Sequence, residues 1–176
     1  MLVAAVAVVE VVLMDLDETL AATGFLREAR HHGAPLDLLS VPGFTDLELH
    51  PGIEPTLTLL GQRFAVGLVT SSPRWYVDQL LGRLLPGFAF CSIVTYEDVA
   101  SIKPDPEPIL TSLRSLSTKP CRAVYVGDDL VDHQAAVRAG VAFVGAAWAE
   151  DPNFPVEAAQ ARHPLELLDC LESLIS

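Results

Sequence analysis

The chain has 176 residues, 51% of them hydrophobic, which predicts a folded domain with a substantial core and excludes a disordered chain. Its formal net charge is −12 and its 11 basic residues are scattered, so we expect no nucleic acid partner and no binding to an anionic membrane surface. The length fits one domain over residues 1–176.

The apolar start, MLVAAVAVVEVVLM, is predicted to be a buried strand rather than a membrane segment. It has no basic region before the apolar run and no cleavage site. Glu10 also interrupts it well short of the roughly 20 residues that span a bilayer. We therefore expect neither a signal peptide nor a membrane span.

Five apolar runs of strand length recur along the chain. Their hydrophobicity is continuous rather than alternating, which is typical of strands covered on both faces in a parallel sheet. The runs are Val11–Met14, Ala65–Val69, Phe88–Val94, Ala123–Val126 and Val141–Val144.

Helical patterns lie between these runs. Ser72 is predicted to cap a helix whose first residue is Pro73, and Asp105 with Pro106 opens another in the same way. The remaining predicted helices are Leu130–Ala139, which stops at Gly140, and a tail helix with an apolar stripe of Leu167, Leu168, Leu171, Leu174 and Ile175. Repeated βα units of this kind predict an α/β fold with a doubly wound parallel sheet.

The segment Ala21–His50 interrupts the alternation of strand and helix patterns and is interpreted as a short insert. It has three glycines, two prolines and poor periodicity, and about 30 residues cannot support a core of their own. We interpret its polar residues as solvated charges. The alternative that Arg27 or Arg30 contacts a substrate anion, as part of a lid, stays open. These polar residues are Arg27, Arg30, His31, His32 and Asp46.

The cysteines give a weak indication of the compartment. Cys91, Cys121 and Cys170 show no metal-ligand spacing and lie among apolar residues, so we expect reduced, buried thiols. This pattern favours a reducing environment and a cytoplasmic protein.

Four polar signals each follow an apolar run or lie in the loop leading from it. Since the carboxyl ends of parallel strands open on one edge of the sheet, we expect them to converge on one crevice. Taken singly, each has a structural explanation such as a helix cap, a solvated lysine or a chance pair of acids. The signals are Asp15-Leu16-Asp17-Glu18-Thr19, Thr70-Ser71-Ser72, the Lys103–Pro108 stretch and Gly127-Asp128 with Asp132.

The acids in these signals predict a metal. Asp15 and Asp17 are two apart at a strand end, and Asp128 and Asp132 are four apart at a helix start, so four carboxylates would share one crevice. They would repel one another unless a cation were present, and the absence of His or Cys partners favours Mg²⁺ over zinc. Lys103, one of only two lysines, would supply positive charge for a phosphate.

Together the signals resemble the motifs of the haloacid dehalogenase superfamily, nearest to its phosphoglycolate-phosphatase-like branch. Asp15-Leu16-Asp17-Glu18-Thr19 looks like the first motif, Thr70 like the second, Lys103 like the third, and Asp128 with Asp132 like the fourth. The resemblance implies a Rossmann-like three-layer core and hydrolysis of a phosphomonoester through an aspartyl-phosphate. The stretches His50-Pro51-Gly52-Ile53 and Tyr125-Val126-Gly127-Asp128 support it.

The resemblance also implies a role for each residue. Asp15 would be the nucleophile, and Asp17 would protonate the leaving group and then activate water. Thr70, the Ser71 amide and Lys103 would hold phosphoryl oxygens. The Mg²⁺ ligands would be the Asp15 carboxylate, the Asp17 backbone carbonyl and Asp128, while Asp132 would orient the metal's waters or Lys103.

Two departures from the family pattern concern the substrate side. Glu18 stands where the commonest form of the first motif has glycine, and we expect this to be tolerated. The insert is much shorter than the helical caps of this branch, so we expect a missing or minimal cap. The substrate would be a small phosphomonoester, although a macromolecular one remains open, as does the oligomeric state.

Several other functions share parts of this motif pattern. A dehalogenase lacks the second acid of the first motif, so Asp17 argues against it, and a phosphonatase needs a cap lysine that Ala21–His50 does not contain. A receiver domain carries its acids and lysine in a different order. A non-catalytic or regulatory binding module on this scaffold and a phosphotransferase of the same superfamily stay open.

Overall fold

A parallel six-stranded sheet forms the centre of the protein in the computed structural model, which describes residues 8–31 and 35–175. The strand order is β3-β2-β1-β4-β5-β6, and every neighbouring pair runs parallel. The predicted doubly wound α/β class is therefore confirmed. The strands are β1 (Val11–Met14), β2 (Ala65–Val69), β3 (Ser92–Val94), β4 (Ala123–Gly127), β5 (Ala142–Ala146) and β6 (Ala159–Ala161).

Helices cover both faces of this sheet and make three layers. Helices α2, α3 and α6 pack on the face that carries Val12 and Met14, and α4 and α5 pack on the face that carries Val11 and Leu13. Both faces are buried, which explains why the strands are continuously hydrophobic. The helices are α1 (Arg27–Arg30), α2 (Ile53–Gly61), α3 (Arg74–Leu84), α4 (Glu107–Ser115), α5 (Leu130–Ala139) and α6 (Leu167–Ile175).

Three elements differ from the sequence analysis. Strand β3 begins at Ser92 rather than Phe88, because Phe88 and Phe90 lie before the strand and pack edge to face with ring centroids 4.8 Å apart. Strand β6 was missed because two of its three residues are exposed and form no apolar run. Helix α2 was also missed. The strand predicted for the start of the chain is described only over β1, and residues 1–7 lie outside the described part.

Helix starts were predicted with mixed success. Helix α5 spans Leu130–Ala139 and ends at Gly140 in the left-handed conformation, as predicted. The predicted cap at Ser72 is wrong, since α3 begins at Arg74 with Pro73 as its N-cap. The Ser72 hydroxyl donates instead to Asp17 Oδ2 at 2.5 Å.

The segment 21–50 is docked on α3. Its described residues contain one helix, α1, of four residues together with short 3₁₀ turns, and no helical bundle. Gln79 bonds the Leu38 amide and the Leu36 carbonyl, each at 2.8 Å, and Arg83 donates to several carbonyls of the segment. His32 lies outside the described residues. Apolar side chains from this region join the main core, namely Leu20, Leu26, Leu38, Phe44 and Leu47.

Two further expectations concern the surface. The thiols were expected to be buried, which is wrong: Cys91 and Cys121 are exposed and Cys170 is half-buried. Among the helices of the described residues, none combines the length and apolar character that a membrane span requires.

Candidate active site

One cleft of ≈ 480 Å³ opens at the carboxyl edge of the sheet, and every residue singled out for the site lines it. Asp15 directly follows β1, Thr70 follows β2, and Asp128 follows β4, so three adjacent strands carry these residues to one place. The predicted convergence is therefore observed. The site residues in the cleft are Asp15, Asp17, Thr70, Ser71, Lys103, Asp128 and Asp132.

Lys103 lies at the centre of the buried charges. Its Nζ atom is 2.6 Å from Asp15 Oδ1, 2.6 Å from Asp132 Oδ1 and 3.0 Å from the Tyr125 hydroxyl. Burial lowers the pKa of Lys103, but the charges of Asp132 and Asp15 outweigh it and raise the pKa well above its usual value. Lys103 is thus a permanent cation between two carboxylates.

Tyr125 was missed as a site residue. Its ring is fully buried in β4, and its hydroxyl donates to the Val69 carbonyl at 2.9 Å while accepting from Lys103. Within the apolar run of β4 the residue looks like ordinary core. The only sequence signal was its place in the stretch next to Asp128.

Three carboxylates form a cluster suited to a hard cation. Oxygens of Asp15, Asp128 and Asp132 lie within 4.8 Å of one another, and all three residues are buried. Burial, and then the charge of Asp132, raises the pKa of Asp128 to about 7, and burial raises that of Asp15 well above its usual value. One lysine does not compensate these acids, so the donor set fits an oxygen-preferring divalent ion.

The oxygens of this cluster are unequally available. Asp132 uses Oδ1 for Lys103 and Oδ2 for the Asp129 amide at 3.1 Å, so it is committed to protein partners. Thr19 donates to Asp128 Oδ1 at 2.8 Å, and no described group bonds Oδ2 of Asp128 or Oδ2 of Asp15. These two oxygens are the ones left for a ligand.

The carboxylate of Asp17 lies outside this cluster and turns toward the insert. Thr23 Oγ1 and the Tyr76 hydroxyl donate to its Oδ1 at 2.7 Å each, and Arg30 Nη1 is ion-paired with the same oxygen. Ser72 bonds Oδ2. None of these four contacts was predicted from the sequence.

Several backbone amides near Thr70 and at the starts of α3 and α4 have partners within the protein. The Thr70 amide bonds the Val94 carbonyl at 3.0 Å, and its hydroxyl accepts from the Ser72 amide at 3.1 Å. The first amides of α3 and α4 bond acidic side chains, Arg74 N to Glu97 and Glu107 N to Asp105. The first amides of both helices therefore already have partners within the protein.

Glu18 occupies its position at a conformational cost. Its φ is +62°, in the left-handed region that glycine adopts most easily. The side chain compensates, because Oε1 accepts from the Thr23 amide at 2.8 Å, and the backbone carbonyl bonds His50 Nε2 at 2.7 Å. Glu18 therefore holds the start of the insert next to Asp17.

Comparison with known families shows to which family the chain belongs. The model of the haloacid dehalogenase-like hydrolase family matches residues 42–146. The chain belongs to this family. The matched range contains Thr70, Lys103, Asp128 and Asp132, whereas Asp15 and Asp17 precede it.

Relatives and solved structures agree with the family. Phosphoglycolate phosphatase of Pseudomonas putida is 30% identical over 128 residues, covering 72% of this chain and 46% of that protein. Pyrophosphatase PpaX of Bacillus velezensis is 38% identical over 85 residues, covering 48% of this chain and 39% of that protein. The chain thus spans about half the length of the curated relatives it matches.

The fold is also shared with a crystal structure that contains bound phosphate. CbbY of Rhodobacter sphaeroides in complex with phosphate superposes with a TM-score of 0.73 at 22% identity, over 93% of this chain and 99% of that one. At this identity the likeness establishes the fold alone.

Proposed function

We propose that this protein is a Mg²⁺-dependent phosphomonoester hydrolase in which Asp15 forms an aspartyl-phosphate. The observation that carries the proposal is the buried contact of Lys103 with Asp15 at the edge of the sheet, beside Asp128 and Asp132. A nucleophilic carboxylate needs a nearby cation when a phosphoryl group with several negative oxygens approaches it. Membership of a hydrolase family with relatives named as phosphatases supports this reading.

In this scheme Lys103 and Asp15 act as a pair. Lys103 fixes Oδ1 of Asp15, so the other oxygen is directed to attack phosphorus. The ammonium group then lies beside the phosphoryl oxygens as charge develops on them. Thr70 and Ser71 line the same cleft and would hold the remaining phosphoryl oxygens.

Asp17 would transfer the proton. In the first step it would donate a proton to the leaving oxygen, and in the second it would accept one from the water that cleaves the aspartyl-phosphate. Its place in the cleft, two residues beyond Asp15, suits both steps.

The proposed metal ligands are Asp15, Asp128 and the backbone carbonyl of Asp17, with Asp132 holding Lys103 rather than the ion. When bound, Mg²⁺ would neutralise phosphoryl oxygens as a Lewis acid. Oδ2 of Asp128 has no described partner, and Oδ1 of Asp15 keeps a second lone pair beside Lys103, so that Oδ2 of Asp15 stays available to attack phosphorus. The all-oxygen donor set supports the same assignment.

The proposed substrate is a small phosphomonoester. A cleft of ≈ 480 Å³ is within the usual range for small ligands. Absence of nucleic acid and membrane partners, and a cytoplasmic location, remain predictions from composition.

The proposal is tested by phosphate release from a panel of alkyl, sugar and aryl phosphates with Mg²⁺ and with excess EDTA. Turnover that needs Mg²⁺ and is lost in Asp15→Asn is expected. Full turnover in EDTA would contradict the metal dependence. A protein that binds Mg²⁺ yet releases no phosphate from any panel member would favour the non-catalytic binding module, and transfer of phosphate to an added alcohol would favour the phosphotransferase.

A further inference from the structure

The carboxylate of Asp17 is held by three hydrogen bonds and one ion pair from three separate parts of the chain. Thr23 and Arg30 belong to the insert, Ser72 follows β2, and Tyr76 belongs to α3. Thr23, Tyr76 and Arg30 all contact Oδ1, and Ser72 alone contacts Oδ2.

This distribution makes the two oxygens of Asp17 inequivalent. A carboxylate oxygen offers about two lone-pair sites, so the donors on Oδ1 already fill it. Oδ2 keeps capacity for one more partner beside Ser72. Only Oδ2 can therefore approach the oxygen of a leaving group, provided that Oδ1 stays fixed.

Arg30 is the charged member of the group on Oδ1 and comes from the shortest helix, α1. Its side chain is 13% exposed, and it lines the cleft together with Asp17. Its Nη1 atom is buried and makes no hydrogen bond in the described residues, so its interaction there is the ion pair with Asp17. Burial lowers the pKa of Arg30, but the Asp17 charge outweighs it, and the guanidinium stays cationic.

Tyr76 is a second fixed donor on Oδ1. It is fully buried, and burial together with the Asp17 charge raises the pKa of its hydroxyl far above the usual value. The hydroxyl is therefore always protonated and always able to donate to Asp17. Its ring packs in the core against the insert, so its position follows from the docking of the insert on α3.

We infer that Arg30, with Tyr76, is a positioning residue that holds Asp17 with Oδ2 directed to the leaving group. The insert, though too short for a cap, thereby takes part in proton transfer through Asp17. This inference rests on the proposed function, because it assigns a role relative to the proton step. A purely structural ion pair and a direct contact of Arg30 with substrate are the rival explanations.

The three explanations of the Arg30 contact predict different rates for substrates with good and with poor leaving groups. A nitrophenolate leaves without much protonation, whereas an alkoxide needs a proton from the acid. Misplacing Asp17 should therefore slow hydrolysis of an alkyl phosphate far more than that of p-nitrophenyl phosphate. Loss of substrate binding would raise KM, and general destabilisation would reduce both rates together.

The experiment compares kcat and KM of both substrates for wild type, Arg30→Gln, Arg30→Lys and Tyr76→Phe, with Mg²⁺ present. The discriminating quantity is kcat/KM, because it reports the steps up to departure of the leaving group, whereas cleavage of the aspartyl-phosphate is common to both substrates. Arg30→Gln is expected to lower kcat/KM for the alkyl phosphate by roughly tenfold to a hundredfold, and for the aryl phosphate by less than about threefold. Arg30→Lys should recover part of the loss, and Tyr76→Phe should show the same selectivity to a smaller degree.

Two arginine variants serve as controls. Arg27→Gln removes the same charge from the same helix and the same cleft, but in the described residues only Arg30 of this helix is ion-paired with Asp17, so the ratio of the two rates should stay at the wild-type value. Arg122→Gln breaks an ion pair with Glu10 away from the cleft, and it removes the same positive charge as Arg30→Gln. It should also keep the wild-type ratio of the two rates.

An equal loss on both substrates, an effect on KM alone, or the same selectivity in Arg27→Gln would overturn the inference. If Arg30→Gln fails to fold, as judged by thermal unfolding, Arg30→Lys and Tyr76→Phe carry the same test. Wild-type protein that hydrolyses no phosphomonoester would refute the proposed function and this inference with it. An active wild type whose variants keep the wild-type rate ratio would refute the inference alone.

Discussion

The Nζ atom of Lys103 lies 2.6 Å from Oδ1 of Asp15, although 88 residues separate the two in sequence. The contact is buried, with side-chain exposures of 4% and 9%. A buried charge is costly unless it is paired, and here each partner offsets the cost of the other. The stability of the site and its proposed chemistry therefore depend on the same ion pair.

Removal of the Lys103 cation should lower both the stability of the protein and its turnover. Lys103→Met leaves Asp15 and Asp132 buried without their partner, and breaking such a pair costs about 3–5 kcal/mol of unfolding free energy. We expect a large fall in the denaturant midpoint of the metal-free protein and partial recovery with Mg²⁺. Turnover should fall on the order of 10²-fold or more.

The matched control for this change is Lys119→Met, since Lys119 is the other lysine and is exposed. It should leave both the midpoint and turnover near wild type. A Lys103→Met protein as stable and as active as Lys119→Met would contradict the role given to Lys103.

Much of the sheet and of the site could be predicted because the signals are local. Strands β1 and β2 have the predicted bounds, since runs such as Val11–Met14 are buried on both faces and so are continuously apolar. Asp15 and Asp128 could be brought together from sequence because both directly follow strands of one parallel sheet, and parallel strands share a carboxyl edge.

What escaped prediction depends on contacts between distant residues. Tyr76 has the pattern of an apolar position of α3, and its bond to Asp17, 59 residues earlier, forms only when β1 and β2 pair and bring α3 beside the end of β1. Ser72 reads as a helix cap for the same reason, because a hydroxyl before a helix carries no sign of a distant carboxylate partner. Strand β6 has no apolar run, because two of its three residues are exposed at the edge of the sheet.

The raised pKa values predict opposite pH trends for stability and for metal binding. An unfolded aspartate ionises near pH ~3.9, whereas the pKa of Asp128 is raised to about 7, so the folded metal-free protein binds the extra proton between these values. The unfolding free energy that Asp128 contributes therefore falls as pH rises through that window. Mg²⁺ must displace this proton, so its affinity should increase toward neutral pH.

Denaturant unfolding in EDTA across this pH range, and calorimetric titration with Mg²⁺ in buffers of different protonation enthalpy, measure the two trends. Asp128→Asn is the control, because the amide has no proton to release, and it should reduce the slope of both curves, with Asp15 contributing the remainder. Magnesium affinity that is independent of pH in the wild type would argue against proton-linked binding at the carboxylate cluster.

The backbone at Glu18 gives a prediction on stability. At φ +62° a side chain other than glycine is strained, so Glu18→Ala keeps the strain and loses the bond to the Thr23 amide. Glu18→Gly loses the same bond but relieves the strain. We expect the glycine variant to be more stable than the alanine variant by about 1 kcal/mol.

Thermal unfolding of the two variants, with Glu18→Gln as a control that keeps the acceptor oxygen, tests this order. Turnover in Glu18→Gly should stay close to wild type, because glycine adopts the same backbone conformation. An alanine variant more stable than the glycine variant would show that the conformation at this position is not maintained in solution.

The central claim is that Asp15 becomes phosphorylated. Wild-type protein quenched in acid during turnover of p-nitrophenyl phosphate with Mg²⁺ should gain the mass of one phosphoryl group, on the peptide that carries Asp15. Asp15→Asn should gain none and release no phosphate, since an amide cannot form the acyl-phosphate. Turnover by Asp15→Asn at the wild-type rate, or a phosphoryl group found on a different residue of the active wild type, would contradict the account.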